Sequence, residues 1–131
     1  MLAKATSFAT LKDLYNYIKC RNSGGSETFC YSKGDNGEGA WGDMTATLKT
    51  PMVAIPPSEM VARFGKGNSK LARGARVRVI LKGCNPFIAE VRDKAPPGVI
   101  DLNPAALVAA GLPSDTELNT IAVWEWVENE K

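Results

Sequence analysis

The chain contains no histidine, which removes the commonest general base, the Ser-His and Cys-His nucleophile pairs and most zinc sites. Any acid–base chemistry falls to carboxylates. Cysteine is sparse and odd in number: Cys20, Cys30 and Cys84 leave at least one thiol unpaired. In an oxidising compartment Cys20 and Cys30 would close a short loop, and a reduced trio satisfies the sequence equally well. No apolar run reaches the length of a membrane helix, since the richest stretch, Ala105 to Leu112, is short and interrupted by Gly111. Met1 to Phe8 lacks a signal-peptide apolar region, so an exported form would begin at a mature Met1 or leave by another route. Also missing are a P-loop, a G-x-G-x-x-G, a C-x-x-C pair, a solenoid-length repeat and any low-complexity tract. Neither a cofactor nor a metal is expected.

What remains is 131 residues with 44% apolar content, enough for one domain around one core. The net charge of +2 conceals an asymmetry. Arg63, Lys66, Lys70, Arg73, Arg76, Arg78 and Lys82 occur with no acidic residue between Glu59 and Glu90, whereas Asp115, Glu117, Glu125, Glu128 and Glu130 make the C-terminal part acidic. A patch of Arg63, Lys66, Lys70, Arg73, Arg76 and Arg78 would attract a polyanion such as nucleic acid, anionic lipid or an acidic wall polymer; the alternative is a solvated basic loop.

The periodicity divides the chain at about residue 27. Phe8, Leu11, Leu14, Tyr15 and Ile18 share one face of a helix from about Thr10 to Lys19, with Thr10 and Asp13 as a capping pair. Residues 1–27 are therefore expected as a helical extension packed on a mainly β domain of residues 28–131. In that domain Thr28 to Lys33 reads as a first strand, and a Gly-rich loop leads into a second at Met44 to Lys49. Trp41 in that loop would lie as a lid on the core or offer a flat face to a sugar. A short helix follows Pro57, and Ala75 to Leu81 alternates with Val77, Val79 and Leu81 inward. In the last strand Ile121, Val123 and Val127 are expected inward, so Trp124 and Trp126 should face outward, under the N-terminal helix or against a ligand.

The most informative stretch is Val91 to Leu107, V-R-D-K-A-P-P-G-V-I-D-L-N-P-A-A-L. Asp93 ends a strand whose inward set is Phe87, Ala89 and Val91, and Asp101 lies across the turn just before Asn103-Pro104, a favoured helix start. V-x-D, the Pro/Gly turn and I-D-L-N-P-A-A-L together resemble the double-psi β-barrel of expansins, barwin-like proteins and rare lipoprotein A. Gly39-Ala40-Trp41-Gly42, Met52-Val53-Ala54-Ile55 before Pro57, and the terminal T-I-A-V-W-E-W-V are similar to further elements of those barrels. The resemblance spans about Thr28 to Val127 and implies a six-stranded double-psi barrel, secreted or wall-associated and monomeric.

It also implies a site. Asp101 matches the acid-like aspartate of the family and Asp93 the second one, making both candidate catalytic residues, with Tyr31, Ser32, Trp41, Asp43 and Lys94 as candidate substrate contacts. A carboxyl becomes a useful acid when desolvation raises its pKa. An inverting glycosidase also needs a base, and Ser32, near the equivalent position, cannot serve; Asp43 is the candidate substitute. The resemblance thus favours an expansin-like protein that binds and loosens a cell-wall polysaccharide, peptidoglycan or cellulose, without hydrolysis. Two other readings are a lytic transglycosylase using Asp101 alone as acid/base, and a non-enzymatic interaction barrel (an inhibitor, phage or effector component) in which both aspartates are structural.

Overall fold

In a computed structural model, which describes residues 1–128, the strands are β1 (Leu2–Ser7), β2 (Met52–Ile55), β3 (Arg76–Leu81), β4 (Phe87–Lys94), β5 (Val99–Leu102) and β6 (Asn119–Trp126). They close into one barrel in the order β1-β5-β2-β4-β3-β6. The pairs β1·β5 and β2·β4 are parallel and the other four antiparallel. The β1-to-β2 connection must pass over β5, and the β4-to-β5 connection over β2, so two connections cross one another. That double crossing is the double-psi arrangement expected from the sequence. Glu130 of the expected acidic terminus lies outside the described residues.

The helices are α1 (Leu11–Asn22), α2 (Glu27–Tyr31), α3 (Pro57–Phe64) and α4 (Pro104–Ala109), with a 3-10 turn at Ser69–Ala72. Thr10 caps α1 by accepting from the Asp13 N–H, as the sequence suggests. Asn103 caps α4 through the Ala106 N–H. Alternating residues of β3 enter the core, with Val77, Val79 and Leu81 fully buried beside Val91, Ile100 and Leu102. No helix among the described residues is long and apolar enough to cross a membrane.

Four expectations are corrected. Thr28 to Lys33 is not a strand: the Ser26 hydroxyl accepts from the Phe29 N–H and starts α2, which a Cys20–Cys30 disulfide ties to α1. The missing strand is β1 at the N-terminus, so the first 27 residues are not simply a layer outside the barrel. Its inward positions, Ala3 and Ala5, are too small to signal a strand by hydrophobicity, but they fit between β5 and β6. Met44 to Lys49 forms only one bridge, Glu38 to Met44, because its backbone is bonded elsewhere: the Thr45 N–H donates to the Gly37 carbonyl, and the Thr45 carbonyl accepts from Asn103.

The fourth correction concerns β6, whose parity is inverted. Ala122 and Trp124 are buried, Trp124 to 2% exposure, while Ile121 and Val123 are 58% and 50% exposed. The wide indole fills space that the alanines of β1 leave empty, so residue volume outweighs the aliphatic count. Trp126 sits at the barrel mouth with its ring edge-on to Phe64 and to Trp124, not beneath α1. The apolar stripe of α1 is correspondingly incomplete as a packing face: Leu11, Tyr15 and Ile18 remain exposed.

Candidate functional site

Asp93 and Asp101 come together by strand register. Ala54 of β2 pairs with Asp93 of β4 on one side and Asp101 of β5 on the other, and Asp101 pairs in turn with Thr6 of β1. Paired residues point to the same face, so Thr6, Asp101, Ala54 and Asp93 form one row across four strands. Ile100 and Leu102 point inward, so the row lies on the outer wall. Asp93 does not continue the inward set as its spacing from Val91 suggests. The β2·β4 register shifts between Val53 and Ala54, which sets both Arg92 and Asp93 against a single step of β2 and turns Asp93 outward. Two strand spacings put the Cα atoms of the aspartates roughly 10 Å apart.

The Gly34–Thr50 segment covers part of this row. Ala54, although outward, is 1% exposed. Gly39 lies so close to β4 that a Cβ there would collide with the Arg92 carbonyl, and the next N–H, of Ala40, donates to Asp93 Oδ1 at 2.8 Å. Asp93 Oδ1 also accepts from the Lys94 N–H at 2.8 Å. Asp93 is therefore an anchor for the loop as well as an outward carboxylate. Burial pushes its pKa up, against the pull of those two amides, and burial likewise raises Asp101, helped by repulsion from Asp93 and Asp35. A carboxyl with a raised pKa is the kind suited to acid catalysis, yet neither aspartate lines the surface cavities at Lys19 and Phe29, at Leu2 and Ile121, at Tyr15 and Ile18, at Met1 and Trp124, or at Arg63 and Trp126.

The other candidate contacts are dispersed. Asp43 accepts two bonds from the Arg73 guanidinium, at 2.8 and 3.0 Å, and lies 3.6 Å from Arg92. Its bond to Arg73 lowers its pKa, the opposite of what a base needs. Trp41 packs against the core with the Lys94 ammonium 5.7 Å from its ring centre, the lid arrangement. Ser32 donates to the Phe29 carbonyl at the end of α2, and the Tyr31 hydroxyl accepts from Asn36. Both belong to the α1–α2 unit, whose Cys20–Cys30 bridge lies beside a shallow cavity lined by Lys19, Gly25, Phe29 and Lys33. Among the described residues no group of three or more Cys, Asp or Glu side chains is arranged to hold a metal.

Sequence reasoning missed Arg92 and Glu90, whose 2.6 Å ion pair runs along β4. Their alternation with apolar residues was the available signal. The basic patch is also less uniform than its spacing suggests: Arg73 is engaged by Asp43, Arg78 by Glu125 at 2.7 Å, and the Arg63 guanidinium lies 5.9 Å over the Trp126 ring, while Lys66, Lys70 and Arg76 are exposed.

No protein-family model and no curated protein matches the chain. Among solved structures it is similar to Streptomyces papain inhibitor, with 27% sequence identity and a TM-score of 0.54, over 98% of this chain and 94% of that one. The likeness is to a barrel that carries an inhibitor's name, and it adds nothing to the expansin resemblance.

Proposed function

We propose that this protein is a non-enzymatic, protein-binding barrel that inhibits a papain-like cysteine protease. The observation that carries the reading is the likeness to Streptomyces papain inhibitor along nearly the whole of both chains. The site chemistry supports it. The candidate base Asp43 is held ionised by Arg73, Asp93 is bonded to the loop that covers it, and Trp41 is packed as a lid. The partner is then a protein rather than a wall glycan, and the Cys20–Cys30 disulfide fits action in an oxidising compartment outside the cytosol. Titrating papain with the purified protein, followed by gel filtration of the mixture, tests it. A stoichiometric loss of peptidase activity with a co-eluting complex is expected; full activity and separate elution would overturn the reading.

A second reading, the expansin-like or lytic one, rests on the raised pKa of Asp101 beside Asp93. In it Asp101 holds the proton delivered to a glycosidic oxygen of peptidoglycan or cellulose. Mass spectrometry of soluble products from each polymer, with wild type and Asp101→Asn, tests that chemistry. Anhydro-sugar products lost in the variant would favour it over inhibition, and binding to either polymer without products would favour loosening.

A further inference from the structure

At the barrel mouth, away from the aspartate row, α3, the 3-10 turn, the start of β3 and the end of β6 enclose a cleft of about 260 Å³. Phe64, Leu71 and Trp126 contribute apolar surface to its lining, and Arg63, Arg73 and Arg76 contribute three guanidinium groups. We propose that this cleft is a recognition site for a carboxylate side chain, together with its apolar neighbour, on a partner protein's peptide segment. The proposal goes beyond protease inhibition and does not depend on it.

Charge complementarity defines the occupant. Three carboxylates of the surrounding strands and loop are already engaged, Asp43 with Arg73, Glu90 with Arg92, and Glu125 with Arg78, while Glu128, next to the cleft-lining Val127, is exposed. Among the described residues Arg63 and Arg76 have no carboxylate partner. Arg63 instead has its guanidinium carbon 5.9 Å from the Trp126 ring centre, a cation–π contact that uses none of its N–H groups and leaves them for a bidentate acceptor. Arg73 is fixed and neutralised by its fork to Asp43, which leaves the positive charge of the cleft to Arg63 and Arg76. The apolar part of the lining suits an aliphatic side chain adjacent to the acid.

Size and stacking argue against nucleic acid. A cleft of this volume holds one or two side chains and does not track a phosphate backbone. Base stacking needs a free aromatic platform, but Trp126 already has Arg63 over its ring at 5.9 Å and the rings of Phe64 and Trp124 in T-shaped contact at 5.5 Å.

The test is an NMR titration of the full chain with the capped peptide Gly-Glu-Leu-Gly, its Gly-Gln-Leu-Gly isostere and a short oligothymidylate. The Glu peptide is expected to shift the Trp126 indole N–H and the Arg63 and Arg76 side-chain resonances. Affinity should fall about tenfold for the Gln peptide, as for the loss of one charge-assisted bond. The exposed substitutions Arg63→Gln and Arg76→Gln should produce the same loss, and Arg78→Gln, outside the cleft, none. Equal affinity for the two peptides, shifts centred elsewhere, no shifts, or tighter binding of the oligothymidylate at the same resonances would each overturn the proposal.

Discussion

Asn103 is fully buried and uses its side chain four ways. Its Oδ1 accepts from the Met52 and Ala106 N–H groups at 2.8 and 3.0 Å, while its Nδ2 donates to the Thr45 and Thr50 carbonyls at 2.9 and 3.0 Å. Asn103→Ala would strand those four backbone groups, so a loss of roughly 3 kcal/mol or more is expected in urea denaturation. A loss under about 1 kcal/mol would mean that water replaces the amide. The helix-cap half of this role was legible in the Asn-Pro pair; the bonds to Thr45 and Thr50 were not, because they join segments more than 50 residues apart. Asp101 makes the opposite contribution. Its folded pKa is raised above 3.8, so the folded chain binds the proton more tightly than the unfolded chain and ionisation costs stability. That cost appears as pH rises above the ordinary value and is complete above the raised one. Asp101→Asn is therefore expected to raise Tm at neutral pH, with the gain vanishing near pH 3 in melts followed by circular dichroism.

At the scale of elements, sequence reading succeeded where side-chain volume and backbone preference agreed. The alternation of β3, the strand before Asp93, the Pro57 helix and the Asn103-Pro104 start all appear as expected. It failed where they diverged. Leu2–Ser7 is a strand with alanines as its inward residues, and in β6 the tryptophan takes the core while Ile121 and Val123 take solvent. The β6 correction has a direct consequence: Trp124→Ala should cost about 3–5 kcal/mol, as for a core aromatic, whereas a surface ring would cost well under half of that. The α1–α2 unit depends on its staple, because α1 contributes no fully buried residue. Replacing Cys20 and Cys30 together by serine should lower stability by about 2–3 kcal/mol, the expectation for a loop of this length. Hydrogen exchange in α1 and α2 should quicken more than in β3 and β4; uniform quickening would show the staple acting on the whole barrel.

At the scale of the whole molecule, the closed sheet leaves no strand edge, and the crossing connections bring β4 and β5 to either side of β2. The family resemblance made this topology legible, and two short motifs sufficed to place both aspartates near one another. The consequence of that placement was not legible, because it depends on the loop from Gly34 to Thr50, whose path is set by close contacts of Gly39 and by Asp93 itself. The resulting surface has a partly covered carboxylate row, a dispersed set of polar contacts and a basic cleft at the mouth. The most direct measurement is an active-site titration of papain by the wild type and by Asp101→Asn in parallel. Inhibition to the same endpoint by both proteins is the predicted result; papain left fully active by the wild type would contradict the account.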